Sequence, residues 1–381
     1  MEYGRTSMNV DVAIIGAGPA GSTLAALLAR RGVRVALLDR DGFPRDKLCG
    51  EFLSYDALPI LDALGVIKDI DAANAPHIER CRVIGARRTY EFALPHAARG
   101  VSRLFFDDLL LRAAEQAGAI RLDGTTASSL TASSVNDIGA TIVVGAWGRW
   151  GRFDQQLGRG FVRDRSRRNF GFKRHYRGAA MNTIDLYSFA RGYLGVNAVE
   201  GGITNICGLV HASRLAGHKG RWDAFVETIR AEEPRLDALY AAHEPAQDGY
   251  LSSEPVIFRA RSAVEGGVFM IGDASGVIDP LTGNGIAMAI QSALLVAPML
   301  LRLLESPLQR TAIEDEYRTR HHGFLARRIA WSRAVALLLS RPRLLDAALA
   351  TARTPRIGEL LLARTRGSRD EVERLAAAWF R

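Results

Sequence analysis

VDVAIIGAGPAGSTLAALLARRGVRVALLD, residues Val10 to Asp39, is the stretch that decides the fold of this chain. It begins with an apolar strand that runs directly into the turn Gly16-Ala17-Gly18-Pro19-Ala20-Gly21. In such a unit the first glycine permits a tight turn, the second lets the main chain approach a pyrophosphate, and the third lets the following helix pack closely on the sheet. The free N–H groups of that helix then face an anion. We therefore predict that this turn binds a dinucleotide through Gly16, Gly18, Pro19, Ala20 and Gly21.

The second half of the stretch predicts a helix, a strand and an acid. Three leucines give the helix a buried stripe, Gly32 ends it, and the apolar run 33–38 predicts the next strand. Asp39 follows that strand, where a carboxylate can accept the hydroxyls of an adenosine ribose and would repel a 2′-phosphate. We predict that Asp39 and its neighbour Arg40 contact the cofactor. A chance acid after a glycine-rich turn is the alternative, but it does not explain the order of the five features.

The composition predicts a two-domain protein that does not bind nucleic acid. The chain has 381 residues, of which 48% are hydrophobic, so two interleaved domains are expected rather than one. The formal net charge is +9, and only four of the 50 basic residues are lysine, which leaves 46 arginines. The arginines are spread along the chain without an aromatic-interleaved patch, which favours a compositional bias over a nucleic-acid surface. An acidic surface and an anionic substrate stay open as partners.

Cysteine spacing and hydropathy indicate the compartment. Cys49, Cys81 and Cys207 form no CxxC pair and are odd in number, so we expect neither a disulfide scaffold nor a metal site, and we expect a cytoplasmic protein. The N-terminal residues carry no apolar signal-peptide core, and no window of about 18 uninterrupted apolar residues predicts a membrane span.

The loop after the second predicted strand resembles a known family. Lys47-Leu48-Cys49-Gly50 lies in a loop that contains glycine and proline. It is similar to the Lys-x-Cys-Gly segment of flavoproteins of the geranylgeranyl reductase type, which share a fold with flavin monooxygenases and flavin-dependent halogenases. The resemblance implies that Lys47, Cys49 and Gly50 contact FAD and that Cys49 lies near the isoalloxazine ring. A small buried apolar residue is the alternative for Cys49.

A second motif far along the chain resembles the other half of an FAD site. The apolar strand 267–271 ends in Gly272-Asp273, and a glycine-rich turn leads into an apolar helix over 287–304. In the flavoproteins it resembles, the aspartate holds the ribityl chain or the pyrophosphate, and the helix start points N–H groups at the flavin N1 and O2 edge. The resemblance thus implies FAD contacts for Gly272, Asp273, Pro280, Gly283, Asn284, Gly285 and Ile286. A nicotinamide dehydrogenase does not need this second half.

Two further segments can be compared with the same superfamily. The predicted helix over 101–119 opens with Arg103 and Asp107, which match an Arg-x-x-x-Asp spacing whose arginine reaches toward FAD; a solvated helix-start residue is the alternative. Trp147 stands where flavin hydroxylases have the aspartate of Ala-Asp-Gly-Arg. That departure argues against direct use of NADPH, although NAD(P)H stays a candidate reductant. Trp147 and Trp150 also do not fit the Trp-x-Trp-x-x-Pro pattern of halogenases.

The remaining strands predict a second, antiparallel sheet. A hairpin over 76–98 and four strands between 170 and 210 are joined by glycine-containing turns, and one face of their sheet would be free to cover a ligand. The run from Tyr187 to Val196 resembles the aromatic substrate-domain segment of the reductase and monooxygenase families, which faces the flavin. Tyr187 and His175 are therefore candidate catalytic residues beside Cys49. A place in the apolar core is the alternative for each aromatic residue.

The pattern as a whole predicts an α/β fold. It comprises a Rossmann-like, three-layer FAD-binding domain with a parallel sheet, an inserted antiparallel β-sheet substrate domain and a C-terminal helical tail. The predicted bounds are 1–75, 99–150 and 255–305 for the FAD-binding domain, 76–98 and 151–254 for the substrate domain, and 306–381 for the helical region. A helix over 221–242 should break or kink at Pro234. The basic tail would form a lid on the first domain or make a peripheral contact with a membrane surface.

The leading functional hypothesis is an FAD-dependent oxidoreductase. It would reduce a carbon–carbon double bond of a hydrophobic small molecule, isoprenoid- or polyketide-like, by hydride transfer from reduced flavin. This reaction needs a proton donor, for which Cys49, Tyr187 and His175 are the candidates. Two alternatives stay open: an FAD-dependent monooxygenase of a secondary-metabolite substrate, and a flavoprotein that acts as an electron carrier or as a quinone-linked membrane partner. The sequence leaves the oligomeric state open.

Overall fold

A computed structural model gives the arrangement of the chain. It describes residues 8–164, 169–178, 181–218, 220–351, 358, 362, 364–366 and 369–380. The strands, numbered along the chain, are Asn9–Ile15 (β1), Val35–Asp39 (β2), Phe52–Leu53 (β3), His77–Ile84 (β4), Thr89–Gly100 (β5), Ile120–Asp123 (β6), Ser134–Val135 (β7), Ile138–Gly145 (β8), Asn169–Arg177 (β9), Thr183–Phe189 (β10), Gly192–Val199 (β11), Ile203–His211 (β12), Glu244–Pro245 (β13), Leu251–Ser252 (β14), Arg259–Ala260 (β15), Val264–Glu265 (β16), Val268–Met270 (β17) and Gly276–Val277 (β18). The helices are Pro19–Ala29 (α1), Leu58–Ala63 (α2), Ile67–Ala72 (α3), Arg103–Gln116 (α4), Phe153–Gln156 (α5), Ala212–Leu215 (α6), Trp222–Glu232 (α7), Pro234–Ala241 (α8), Gly285–Glu305 (α9), Arg310–Leu339 (α10), Pro342–Thr351 (α11) and Arg369–Phe380 (α12).

β1 lies in the middle of a largely parallel sheet. The strand order is β16-β17-β8-β1-β2-β6, with β7 paired to β8, and β1 is parallel to both of its neighbours. Val12 and Ile14 belong to the apolar core on the side of α1, α4 and α9, whereas Ala13 and Ile15 belong to the core on the opposite face. Because both faces are covered, almost every position of β1 must be apolar. The predicted β1–α1–β2 unit is confirmed.

The face of this sheet opposite α1, α4 and α9 is covered by shorter elements. Leu130 and Val135, from the short β7 hairpin, pack there with Phe153 of α5. We predicted an irregular boundary over 153–168, but the described part of it forms α5 and a 3-10 turn over 160–163. A fully buried ion pair between Asp154 and Arg159 (2.9 Å) holds these turns together.

The second sheet has the order β13-β9-β12-β11-β10-β4-β5-β3, with β14 paired to β9. Its neighbours are antiparallel except for β10 and β4, which run parallel. The outer face carries Phe172 and Val196 and packs on α7 and α8, which separate at Pro234 as predicted. The inner face carries Lys173, His175 and Tyr193, and it faces the loops of the parallel-sheet domain.

α9 is the core helix between the sheet and the tail. By length and composition alone it could cross a membrane, with a hydropathy of 1.8 over its apolar window. That window is 72% buried inside the fold, because α9 packs against α1 and α10. The apolar character of α9 is thus accounted for by burial within the protein.

The C-terminal tail is helical over the described ranges, as predicted, and it covers both sheets. In α10, Ile329 packs on Met288 of α9, and the hydroxyl of Tyr317 donates to the carbonyl of Met270 at 2.7 Å. α12 adds the buried Trp379 to the core around α1. Leu339, at the end of α10, packs near the inner face of the second sheet.

Candidate active site

Two glycines of the first turn leave no room for a side chain. Gly16 has a φ of +110°, and a Cβ on it would lie 2.3 Å from the carbonyl oxygen of Ala146. A Cβ on Gly21 would lie 1.9 Å from the carbonyl oxygen of Gly16. Both clashes involve backbone atoms, so no side-chain rotation relieves them. The close approach of α1 to β1 and β8 therefore depends on these two glycines.

Gly18, the N-cap of α1, lies between two cations. The position of a Cβ on Gly18 is 3.9 Å from both Lys47 Nζ and Arg103 Nη2. α1 has no side-chain cap and no acidic residue in its first turn. An anion at this point would meet the helix N–H groups and both positive side chains.

The two cations differ in their partners. The fully buried carboxylate of Asp107 accepts from Arg103 Nε at 2.6 Å and from Nη2 at 2.5 Å. Burial disfavours the guanidinium charge, but the interaction with the Asp107 carboxylate favours it more strongly. The pKa of Arg103 is therefore raised. Burial, and then the neighbouring Arg103, lower the pKa of Lys47 to about 8. Lys47 is thus the cation whose protonation an anionic ligand would change most.

Asp39 lies beside the glycine turn, at the carboxyl end of β2. The Ala17 N–H donates to its Oδ2 at 2.8 Å, and Arg45 Nη2 lies 2.9 Å from the same oxygen. The Asp41 N–H donates to the other oxygen at 3.1 Å. Arg45, which we did not anticipate, therefore uses part of the acceptor capacity that we assigned to a ribose. Arg40 is directed to solvent, with its side chain 76% exposed.

The two distant glycine-containing turns meet in space. Gly272 has a φ of +59°, and a Cβ on it would lie 2.9 Å from the Cβ of Ala20 in α1. The Gly272 N–H donates to Ser292 Oγ of α9 at 2.9 Å. Asp273 follows directly and is half-buried. The first turn of α1 therefore lies beside the Gly272-Asp273 turn, and α1 packs along α9, as a single elongated dinucleotide spanning both motifs requires.

A buried aspartate shapes the turn before α9. Asp279 Oδ1 accepts from the Leu281 N–H at 3.1 Å and from the hydroxyl of Tyr193 at 2.5 Å. Burial raises the pKa of Asp279 to about 6, although both donors act to lower it. This pair ties the inner face of the second sheet to the turn that Pro280 opens.

The N-terminus of α9 has no side-chain cap. Gly283 has a φ of +62° and packs against the ring of Phe52, and Gly285-Ile286 begin the helix. The N-cap Asn284 is fully buried, but its Nδ2 donates away from the helix, to the Thr365 carbonyl at 2.8 Å, and its Oδ1 has no partner. The first N–H groups of α9 and an unpaired buried oxygen are therefore available to a ligand.

Glu51 is the centre of a buried polar cluster between the Lys47–Gly50 loop and the second sheet. Its φ is +54°, and its side chain is fully buried. Oε1 accepts from Lys173 Nζ at 2.6 Å and from the Arg103 N–H at 2.8 Å, and Oε2 lies 2.7 Å from His175 Nε2. One carboxylate thus joins the start of α4 to the inner face of the sheet.

Lys173 completes the cluster. Its ammonium is fully buried and lies 2.6 Å from both Glu51 Oε1 and Asp46 Oδ1. Burial disfavours its charge, but Glu51 and then Asp46 raise the pKa of Lys173. Glu51 thus joins Lys173 and His175 in one hydrogen-bonded cluster.

The three predicted catalytic residues do not all lie together. Cys49 Sγ accepts from the Glu51 N–H at 3.4 Å, and the Cys49 carbonyl accepts from Asn205 Nδ2 at 3.1 Å. Asn205 is the cross-strand neighbour of His175, so Cys49 and His175 border the same cluster. Tyr187 packs in the core beneath α7 and α8, on the outer face of the sheet, and burial raises its pKa.

The sequence interpretation missed Glu51, Lys173 and Arg45. One signal for Lys173 was present, since Lys47 and Lys173 are two of only four lysines in a chain with 46 arginines. A compact ammonium meets two carboxylates where a planar guanidinium needs more room. Glu51 has no comparable signal, because its partner Lys173 is 122 positions away in the sequence.

The residues of this region fit FAD. The turn at Gly18 admits a phosphate between two cations, Asp39 stands at the end of β2, and Asn284 presents an orphaned buried oxygen at the start of α9. Asp39 suits the adenosine ribose, the turn at Gly18 suits the pyrophosphate, and the start of α9 suits the polar edge of the flavin ring.

Comparisons with known proteins agree with this assignment. A family model described as an FAD binding domain matches residues 9–173. Tryptophan 2-halogenase of Chondromyces crocatus is 26% identical over 371 residues, covering 86% of this chain and 67% of that protein. Menaquinone reductase of Mycobacterium tuberculosis strain H37Rv is 26% identical over 366 residues, covering 88% of this chain and 86% of that protein.

Solved structures share the fold. The myxobacterial chondrochloren halogenase has a TM-score of 0.76 at 20% identity, covering 98% of this chain and 97% of that one. A geranylgeranyl bacteriochlorophyll reductase-like protein of Thermoplasma acidophilum has a TM-score of 0.73 at 19% identity, covering 97% and 96%. The predicted α/β fold, with a parallel FAD-binding sheet and an antiparallel substrate sheet, is thereby confirmed.

Proposed function

We propose that this chain, which has an FAD-binding domain and is similar to FAD-dependent oxidoreductases, reduces a carbon–carbon double bond of a hydrophobic isoprenoid- or polyketide-like substrate. When bound, reduced FAD would supply a hydride to one carbon of the double bond, and the neighbouring carbon would take a proton from the protein. The Glu51–His175–Lys173 cluster beside Cys49 is the observation that supports this reaction, because it fixes a histidine by hydrogen bonds between the Lys47–Gly50 loop and the second sheet.

The chain's own residues divide the remaining work. Lys47, Arg103 and the start of α1 would hold the pyrophosphate, and the start of α9 would hold the polar edge of the flavin ring. His175 would donate the proton, since the Glu51 carboxylate, itself bound to Lys173, fixes the orientation of the imidazole at 2.7 Å. This role leaves Cys49 to line the site.

The surroundings favour an apolar substrate. On the inner face of the second sheet, Tyr193 and Leu209 pack with Leu281 of the pre-α9 turn and with Leu339 and Leu345 of the tail. An apolar molecule entering between the sheet and the tail would replace contacts of this kind. One relative is named for menaquinone and one structural neighbour for a geranylgeranyl compound, which also supports a hydrophobic substrate.

We assign the electron supply and the compartment as part of the same proposal. NAD(P)H would reduce the flavin in the cytoplasm, with a peripheral membrane contact that gives access to a lipid-soluble substrate. Trp147 Nε1 donates to Asp154 Oδ1 at 3.2 Å, so this side chain already has a structural contact. The proposal therefore assigns it no contact with nicotinamide.

Anaerobic turnover is the decisive experiment. The FAD-loaded protein, reduced by light, is mixed under argon with geranylgeraniol, and the product is analysed by mass spectrometry. We expect a mass gain of two hydrogens without oxygen. A product that forms only in air and carries ¹⁸O from ¹⁸O₂ would instead establish oxygen insertion and overturn the proposal.

Matched histidine variants test the proton donor. His175→Gln should lower the rate of product formation about 100-fold while the protein retains FAD. His77→Gln, an exposed residue of β4, should leave the rate unchanged. Equal rates for both variants would remove His175 from the reaction.

A further inference from the structure

Arg366, in the described part of the chain between α11 and α12, is a buried cation with few partners. It is 6% exposed. Its Nη2 donates to the Thr282 carbonyl at 3.2 Å, whereas its Nε and Nη1 are buried without any hydrogen-bond partner. Among the described residues no carboxylate forms an ion pair with it. A guanidinium has five N–H donors and does not lose its charge in proteins, so these unused donors are energetically unfavourable unless a ligand occupies them.

The neighbours of Arg366 are aromatic and apolar on one side. Its Cζ lies 5.6 Å from the ring centre of Phe52 and 5.4 Å from that of Tyr55. Phe52 belongs to an apolar cluster of the second sheet with Cys81, Phe92 and Leu94. Cation–π contacts offset part of the cost of burial, but they leave the N–H donors unpaired. An anion bound to the unpaired donors would therefore lie beside aromatic and apolar side chains.

The other side of Arg366 is the turn before α9. Thr282, which accepts its one hydrogen bond, directly precedes Gly283, and Gly283 packs on Phe52. Asn284 is anchored to the neighbouring Thr365 and keeps its own unpaired oxygen. The cation therefore lies between the start of α9 and the apolar cluster, at the junction that the proposed substrate would occupy.

We infer that Arg366 binds a carboxylate at one end of the substrate, so that the substrate class is an isoprenoid- or polyketide-like acid. This inference rests on the proposed function, because it assumes a hydrophobic substrate on the inner face of the second sheet, beside the turn before α9. A planar carboxylate matches the geometry of a guanidinium and is recognised by it more strongly than a neutral oxygen is.

Paired probes test the inference. The FAD-loaded protein is titrated by calorimetry with geranylgeranoic acid and with geranylgeraniol, which differ only in the carboxylate. We expect the wild-type protein to bind the acid at least about 10-fold more tightly than the alcohol. Arg366→Gln should bring the two affinities within about 2-fold of each other by weakening the acid alone. Arg364→Gln removes the same charge from an exposed neighbour and should keep the wild-type preference.

Three outcomes would overturn the inference. The first is a wild-type protein that binds acid and alcohol equally. The second is an Arg366→Gln variant that keeps the acid preference but melts at a lower temperature, which would assign Arg366 to structure. The third is a shifted flavin potential in that variant with the acid preference unchanged, which would place the cation against the cofactor.

Arg366→Lys serves as a second variant if Arg366→Gln does not retain FAD. It keeps the positive charge with fewer donors, so its ratio of acid affinity to alcohol affinity should lie between one and the ratio shared by the wild type and Arg364→Gln. The titrations require no turnover. A protein that fails to reduce double bonds but prefers the acid would therefore refute the proposed reaction alone, and one that reduces them without an acid preference would refute the role of Arg366 alone.

Discussion

At the scale of single residues, the candidate site is defined by charges that are buried before any ligand binds. Arg103 and Lys173 each have carboxylate partners, which raise the pKa of each against the effect of burial. Lys47 is held among the same groups without a hydrogen-bonded carboxylate among the described residues, and its pKa is lowered to about 8. The affinity for an anionic ligand should therefore depend on pH through Lys47.

We predict that FAD affinity falls as the pH rises above 8. A pyrophosphate beside Lys47 raises the pKa of Lys47. At pH values between the ligand-free pKa of about 8 and the higher pKa in the complex, FAD binding is therefore accompanied by proton uptake. Affinity is then greatest below pH 8 and decreases by up to about 10-fold per pH unit above it. Quenching of FAD fluorescence by the deflavinated protein measures the constant from about pH 6 to about pH 10.

Lysine variants provide the control for this dependence. Lys47→Gln should bind FAD more weakly and with a flat profile over the same range. Lys68→Gln, which changes an exposed lysine, should reproduce the wild-type curve. A Lys47→Gln protein with the wild-type slope would show that another group titrates.

A second residue-scale prediction concerns Glu51. Glu51→Gln leaves the ammonium of Lys173 with Asp46 as its only carboxylate among the described residues and removes the carboxylate partner of His175. Breaking a buried pair from one side costs about 3 kcal/mol, so the free energy of unfolding in urea should fall by that amount. The exposed Glu254→Gln should change it by less than about 0.5 kcal/mol. A Glu51→Gln protein as stable as the wild type would mean that the cluster is not electrostatically coupled.

At the scale of elements, the sequence predicted what is encoded locally. The β1–α1–β2 unit, the hairpin β4–β5 and the break between α7 and α8 at Pro234 each follow from a strand period, a helix stripe or a proline within a short window. The parallel contact between β10 and β4 and the Glu51–Lys173 pair join segments 103 and 122 positions apart. Nothing local specifies them, because they exist only after the two sheets have packed.

The candidate site also contains residues that local sequence predicts and residues that it does not. The glycine turns carry their own signal, since a φ of +110° at Gly16 or a contact of 1.9 Å at Gly21 excludes other residues. Tyr187 was selected because it lies in an aromatic strand, but strand period alone does not say which face of a sheet meets the cofactor. That information comes from register, which places His175 on the inner face and Tyr187 on the outer one.

The turn at α1 gives an element-scale prediction. Gly21→Ala introduces a Cβ into the Gly16 carbonyl, so α1 must shift away from β1. We expect the purified protein to contain little or no FAD and to lose at least about 2 kcal/mol of unfolding free energy. Gly42→Ala adds the same atom where nothing lies within 4 Å, and it should keep full FAD content. Absorbance at about 450 nm and urea unfolding report the two quantities; an FAD-replete Gly21→Ala protein would contradict the packing argument.

At the scale of the whole molecule, the tail has two distinct surfaces. One surface packs on both sheets through residues such as Ile329 and Leu339. The other exposes Leu337 (54%) and Leu344 (50%) to solvent, with exposed arginines between them in the sequence. Exposed leucines beside positive charge are typical of proteins that lie on an anionic membrane surface.

We therefore predict binding to anionic lipid vesicles through this surface. In flotation assays the protein should float with vesicles containing phosphatidylglycerol and should be released by high salt. Leu337→Asp combined with Leu344→Asp should abolish flotation. Leu308→Asp, at a fully exposed leucine elsewhere, should not. Flotation that is unchanged by the double substitution would exclude this surface.

The position of α9 between α1 and the tail has a consequence for biosynthesis. β1 and α1 are largely apolar, and α9, which packs on α1, is translated more than two hundred codons after them. At ordinary elongation rates this delay is on the order of tens of seconds. During it the nascent β1–α1 segment has an incomplete core and no second half of a flavin pocket. Chaperone capture on the ribosome and FAD uptake only near the end of synthesis are the expected results.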